Sequence, residues 1–168
     1  MALTNQILYG FYDRHHRERK CRGDMFIARA TVPSNELLSA FRKLIPQLKE
    51  DFPLPTMDEL TRLLSAESSR VYIARHPDEG APIIGILTLV LYRVPTGIRA
   101  RIEDVVVDET SRGQGIGEAL VRYAIRVARD FGADGIALTS NPKRAGANKL
   151  YQKIGFKIWV TNLYFYKF

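Results

Sequence analysis

Between residues 111 and 121 the chain reads SRGQGIGEALV, which places Gly113, Gly115 and Gly117 within five positions directly ahead of a helix-like pattern. Backbone this bare, set between the strand-like IEDVVV and a helix start, lets free amide groups converge on an anion, and the helix dipole adds a modest attraction to negative charge. A phosphate or pyrophosphate suits such a turn, and side chains at Gly113, Gly115 or Gly117 are expected to crowd it. No lysine or hydroxyl follows these glycines, so nothing would reach a terminal phosphate or hold magnesium as in a mononucleotide P-loop. Nor is there the third glycine of Gly-x-Gly-x-x-Gly. Gly115 and Gly117 are followed by Glu118, Ala119 and Leu120, which argues against a dinucleotide loop.

Two carboxylates lie just upstream. In RIEDVVV, period-2 alternation puts Glu103 on one face with Val105 and Val107, and Asp104 on the other with Ile102 and Val106. One acid then faces whatever covers the sheet, and the other is exposed or paired with an arginine such as Arg99 or Arg101. Other chemistries find little material. The histidines are His15, His16 and His76, and Cys21 is the single cysteine. That is too little for a metal site, and no cysteine–histidine pair suggests covalent catalysis.

The elements that must position these groups follow from periodicity and turn residues. MFIARATV reads as a strand, and Leu37, Leu38, Phe41, Leu44, Ile45 and Leu48 recur at helical spacing from near Ser34, with Pro46 expected to end or kink that helix. Thr56 and Glu59 form a capping box ahead of a short helix carrying Leu60, Leu63 and Leu64. RVYIAR and IIGILTLVLY read as a hairpin, and RVPTG separates the second strand from IRARIEDVVV. Beyond the glycines, Leu120, Ala124, Val127 and Phe131 share one helical arc, with Arg122, Arg126 and Arg129 opposite. GIALTS is a strand, AGANKLYQKI a helix closed by Gly155, and FKIWV and NLYFYKF two final strands. This order predicts an α/β fold in one domain, residues 25–168, behind a charged N-terminal arm, residues 1–24.

Composition agrees with that class. At 168 residues, 46% hydrophobic and 26% charged, the chain can bury a real core. The longest apolar stretch is about half of what a membrane helix needs, and the first 24 residues have no apolar signal core, so a cytoplasmic protein without a membrane role is expected. A net charge of +7 favours an anionic partner, but the basic residues are dispersed and no nucleic-acid signature accompanies them. Nucleic acid is therefore not the expected partner.

VVVDETSRGQGIGEAL resembles the coenzyme A pyrophosphate loop of the GNAT superfamily of N-acetyltransferases, whose pattern is Arg/Gln-x-x-Gly-x-Gly/Ala; Arg112, Gly115 and Gly117 match it position by position. A second segment, NKLYQKIGF, resembles the family's helix that bears a tyrosine and runs into Gly-Phe and a strand. The resemblance covers residues 25 to 168. It implies a single-domain GNAT-like fold, a mixed central sheet flanked by helices, and acetyl-CoA as co-substrate without a metal.

Carried onto these residues, the resemblance places the coenzyme against Val105, Val106, Val107, Arg112, Gly113, Gln114, Gly115, Ile116, Gly117 and Glu118. Backbone groups of Val105 to Val107 would pair with the pantetheine where β-strands splay apart, one amide lying near the thioester oxygen. Family members often carry Asn seven residues before the tyrosine. Here Arg144 stands there, with Asn148 three before Tyr151, so Arg144, Lys143 and Asn148 become the coenzyme contacts to consider.

For transfer to an amine, the resemblance implies Tyr151 as the acid, its hydroxyl donating to the coenzyme sulfur, and Glu103 as the base. By spacing alone Tyr151 shares a helix side with Ala147 and Ile154, which would equally suit a core residue. A phenol near pKa 10 can protonate a thiolate near 8.5, and freeing a lysine-like amine of its proton at neutral pH costs roughly 4 to 5 kcal/mol, so a base or water relay is needed. Glu103, Asp104 or water could supply it. The acceptor would be an amine-bearing small molecule or protein; homodimerisation through NLYFYKF or the arm is a further expectation. The alternative is a non-catalytic acyl-CoA-binding or protein-interaction module on the same fold.

Overall fold

The computed structural model describes residues 25–168, so the arm expected at residues 1–24 lies outside the described residues. The chain divides into one unit ending at Leu138 and a second spanning Thr139–Phe168. In the first unit the elements run β1 (Phe26–Ala30), α1 (Asn35–Leu48), α2 (Met57–Ser65), β2 (Ser69–Arg75), β3 (Ile83–Val94), β4 (Gly97–Val107), a 3-10 turn (Glu109–Ser111), α3 (Ile116–Asp130) and β5 (Ile136–Ala137); the second holds α4 (Ala145–Ile154). Among the described residues no helix is long and apolar enough to cross a membrane.

The five strands form one mixed sheet in sequential order, antiparallel from β1 to β4 and parallel between β4 and β5. This is the α/β architecture expected from sequence. Alternation along β2 and β3 assigns the helices to opposite faces. Val71, Ile73 and Ile86 join Leu37, Leu38, Phe41 and Leu44 of α1 and Leu60 of α2 in one apolar cluster. The residues between them turn to α3: the Tyr72 and Tyr123 rings lie 5.1 Å apart, and Gly85 sits against Ile116 and Leu120.

Local signals account for the helix ends. Ser34 caps α1 by accepting from the Leu37 amide at 3.1 Å. The Thr56–Glu59 box is closed in both directions, with Glu59 N–H donating to Thr56 Oγ1 at 3.2 Å and Thr56 N–H to Glu59 Oε2 at 2.8 Å. Pro46 does not stop α1, which continues to Leu48. The RVPTG spacer also shrinks: β3 runs on to Val94, pairs it with Gly97, and leaves Pro95 and Thr96 as the turn.

The alternation expected across RIEDVVV is overturned by a β-bulge. Thr88 pairs with Glu103 and Ile86 with Val106, so β4 spends one more residue than β3 between the same two rungs. Glu103 therefore shares the α1/α2 face with Val106, while Ile102 and Val107, opposite Leu89 and Gly85, share the α3 face. Asp104 absorbs the extra residue at φ +50°, a left-handed conformation that Asp tolerates better than β-branched residues. Replacing Asp104 by Val is expected to cost about 2 kcal/mol more than replacing it by Gly, measured by urea unfolding. Equal stabilities would mean that the backbone there is not strained.

Two further expectations fail near the end of the chain. GIALTS contributes only Ile136–Ala137 as strand, and neither FKIWV nor NLYFYKF forms one. Trp159, Tyr164, Phe165 and Tyr166 are instead more than four-fifths exposed. Aromatic and β-branched composition signals a propensity, but a strand exists only where a partner completes its ladder, and none does so among the described residues.

Candidate active site

The glycine turn grows directly from the bulged strand. The β4–β5 ladder has two rungs, Ala100 with Ile136 and Arg101 with Ala137, so Ile102–Val107 form no strand ladder on that side among the described residues. The buried Val106 side chain belongs to the α1/α2 core, and Val105 and Val107 are half-buried. On the β5 side the main chain of this stretch is left outside any strand ladder among the described residues. Past Val107, Asp108 turns the chain, and Arg112 folds back so that its Nε donates to the Val107 carbonyl at 3.2 Å.

Gly113 and Gly115 both lie in the left-handed region, at φ +82° and +83°. A Cβ built at either would meet no atom within 4 Å, so the protein itself leaves the space over them open. Their glycine character is demanded first by backbone conformation. Gly115 is the N-cap of α3 and provides no capping side chain, so no N-cap side chain satisfies the first amides of the helix. Glu118, in that first turn, is engaged by Arg122 at 2.9 Å. Gln114 and Arg112 are exposed, Gly117 is half-buried, and Ile116 is buried, so only the backbone of Ile116 could serve a ligand.

Ile116 explains how the turn is seated. A Cβ on Gly85 would come within 3.2 Å of Ile116 and 3.1 Å of Leu120, so the missing side chain on β3 allows α3 to lie close against the sheet. Sequence reading passed over Gly85. A lone glycine inside an apolar strand is itself a signal of close approach. Asp108, Lys43 and Gln47, which also bear on this turn, were missed too; the clue was an Asp two residues before Thr, a pattern that caps a turn.

Of the two acids, Glu103 is half-buried and accepts a hydrogen bond and ion pair from Arg101 Nε, one of the two arginines expected to pair with it. Asp104 is exposed. The other candidate arginine, Arg99, bonds Thr96 and pairs with Asp134 at 3.7 Å.

In the second unit, the turn before α4 is held by Asn148, whose Nδ2 donates to the Asn141 carbonyl at 2.9 Å, while Asn141 Oδ1 accepts from the Lys143 amide at 2.9 Å. Arg144 occupies the N-cap of α4. Tyr151 sits on the last turns of that helix, its ring edge-on to Phe156 at 5.9 Å. Gly155, at φ +114°, lets the chain reverse so that the Phe156 amide bonds the Tyr151 carbonyl at 3.0 Å. Burial pushes the Tyr151 phenol above its ordinary pKa, and the nearby charge of Arg144 opposes that rise.

A bulged strand, a turn with two left-handed glycines and a helix start without a side-chain cap therefore lie in direct succession along the chain. Residues 36–156 match the acetyltransferase (GNAT) family, and the chain belongs to that family. N-acetyltransferase 8 of Homo sapiens is 32% identical over 104 residues, covering 60% of this chain and 44% of that protein. The chain spans less than half the length of the curated relatives it matches. Among solved structures, a transcriptional regulator from Bacillus halodurans superposes with a TM-score of 0.69 at 28% identity, covering 85% of this chain and 99% of that one. AAC(6')-Iy, solved with a bisubstrate analogue containing CoA, superposes with a TM-score of 0.66 at 20% identity, covering 85% of this chain and 97% of that one.

Proposed function

We propose that this protein is an N-acetyltransferase that moves an acetyl group from acetyl-CoA directly to a primary amine on a small molecule or protein. The observation that carries this reading is the turn at Gly113 and Gly115, open above both glycines and leading into an uncapped helix, in a chain of the GNAT family. Its donors suit a pyrophosphate: a helix start that no side chain caps, and the exposed guanidinium of Arg112 beside it. A structure of the same fold, solved with a CoA-containing analogue, supports the choice of coenzyme.

Acetyl-CoA supplies an activated acyl thioester. The main chain of Val105 to Val107, freed of a β5 partner by the short ladder, supplies an amide to the thioester oxygen as negative charge grows there. Glu103 receives the amine's proton, directly or through water, and Arg101 fixes the orientation of the carboxylate that does so. Tyr151 Oη holds the proton destined for the departing sulfur. Its raised pKa keeps that proton in place across the working range.

Calorimetric titration with acetyl-CoA, using ATP and NAD as comparison ligands, tests the reading. Acetyl-CoA alone is expected to bind with a Kd of about 1 to 100 μM, and binding should vanish in the double variant Arg112→Ala, Gly115→Ala. A well-folded wild-type protein that ignored acetyl-CoA, or preferred ATP or NAD, would overturn it.

A further inference from the structure

Asp108 is the one buried charged residue among the described residues, 1% exposed, and it stands at the exit of β4 just before the glycine turn. Its Oδ1 accepts from the Thr110 amide at 3.2 Å and the Thr110 hydroxyl at 2.9 Å, and its own amide donates to the Ile84 carbonyl at 2.8 Å. Oδ2 has an ion pair with Lys43 Nζ, which reaches over from α1. One helical turn further along α1, Gln47 Oε1 accepts from the Glu109 amide at 2.9 Å, and Gln47 Nε2 donates back to the Lys43 carbonyl at 3.2 Å.

A carboxylate withdrawn from water is costly unless charge and hydrogen bonds compensate it. A turn cap alone does not require that cost, since exposed Ser or Asn caps equally well. What the buried position adds is a link. From Glu109 to Gly115 the turn has no buried side chain, so polar ties hold it in place. Most of those ties are internal: Ser111 N–H to Asp108 O, Arg112 N–H to Glu109 O, and Arg112 Nε to Val107 O. From α1, Gln47 reaches this stretch at the Glu109 amide, and Lys43 reaches Asp108 at its start.

We infer that Lys43 and Gln47 are positioning residues for the coenzyme turn, acting through Asp108 and the Glu109 amide, so that α1 sets how tightly the pyrophosphate is held. The inference rests on the glycine turn being the coenzyme site. Lys43 is itself 61% exposed at its side chain, so its replacement opens no cavity in the core, and the cost falls on the Asp108 carboxylate it leaves unpaired.

The test is calorimetric titration of the full chain with acetyl-CoA, comparing wild type, Lys43→Met, Lys43→Arg and Gln47→Leu, alongside amide hydrogen exchange of each apo protein. Lys43→Met is expected to weaken acetyl-CoA binding about tenfold, with Lys43→Arg restoring most of the loss and Gln47→Leu weakening it about threefold. Exchange of the Glu109 and Ser111 amides should quicken in Lys43→Met while amides in the centre of α3 keep their protection. Wild type that binds acetyl-CoA, together with Lys43→Met and Gln47→Leu that bind within twofold of it, would overturn the inference and leave the proposed function standing. Wild type that binds none would overturn both. A Lys43→Arg protein as weak as Lys43→Met would also count against the ion pair as the device.

Discussion

Tyr151→Phe is expected to lower kcat by about 10²- to 10⁴-fold with any accepted amine, while the Kd for acetyl-CoA stays within about threefold of wild type. The argument is one of proton supply. A thiolate leaving with a pKa near 8.5 must be protonated or carry full charge away, and a phenol, held above its ordinary value near 10 by burial, keeps its proton available for it. The variant keeps the ring and its edge-on contact with Phe156, so stability should change little. The pH profile gives a second readout. Because burial raises the Tyr151 pKa above its ordinary value near 10, the wild-type rate should show no alkaline fall from this group between about pH 7 and 9. Over that range the rate should climb as the acceptor amine loses its proton. A kcat for Tyr151→Phe within threefold of wild type would reduce Tyr151 to a packing residue.

Gly85→Val carries the second large effect, and it separates seating of the turn from chemistry. A single Cβ at this position already falls 3.1 Å from Leu120 Cδ1, 3.2 Å from Ile116 Cγ2 and 3.4 Å from Ala74 Cβ. Leu120 is fully buried and Ile116 1% exposed, so neither has empty space to move into. Two further methyl groups must lift the first turn of α3 away from β3. Overpacking of this kind costs about 2 to 3 kcal/mol, and for a chain of this size that is a fall of roughly 5 to 10 °C in Tm. The displaced turn begins at Ile116, directly after Gly115, so acetyl-CoA affinity should fall about tenfold or more in the same variant. Gly85→Ala, which asks its neighbours to yield only a few tenths of an ångström, should lie between. A Gly85→Val protein with wild-type Tm would mean that α3 does not depend on this contact.

These two positions differ in how visible they were. Tyr151 stands out as a candidate because its neighbours, NKLYQKIGF, form a recognisable local pattern, as do those of Arg112 and Gly115, and the capping box at Thr56 and Glu59 is legible in the same way. Gly85 is not, because its importance comes from Ile116 and Leu120, which lie far along the chain. Asp108 was opaque for the same reason. Nothing in DETS announces that its aspartate will be buried, since the charge that offsets burial is on Lys43 of a different element.

What the sequence determined by itself were features set by short-range physics: the 3.6-residue periodicity of α1 and α3, the capping box of α2 and the Gly155 stop of α4, the β2–β3–β4 meander, and the glycine turn ahead of a helix. Tertiary structure alone decided the rest. Strict alternation could not anticipate the bulge at Asp104, because the extra residue is defined only by which rungs of β3 face Glu103 and Val106. It likewise decided that FKIWV and NLYFYKF, which read as strands, form none among the described residues. Propensity and periodicity are properties of a segment, whereas register, burial of a charge and completion of a ladder are properties of a pair, and the second member of each pair is distant in sequence.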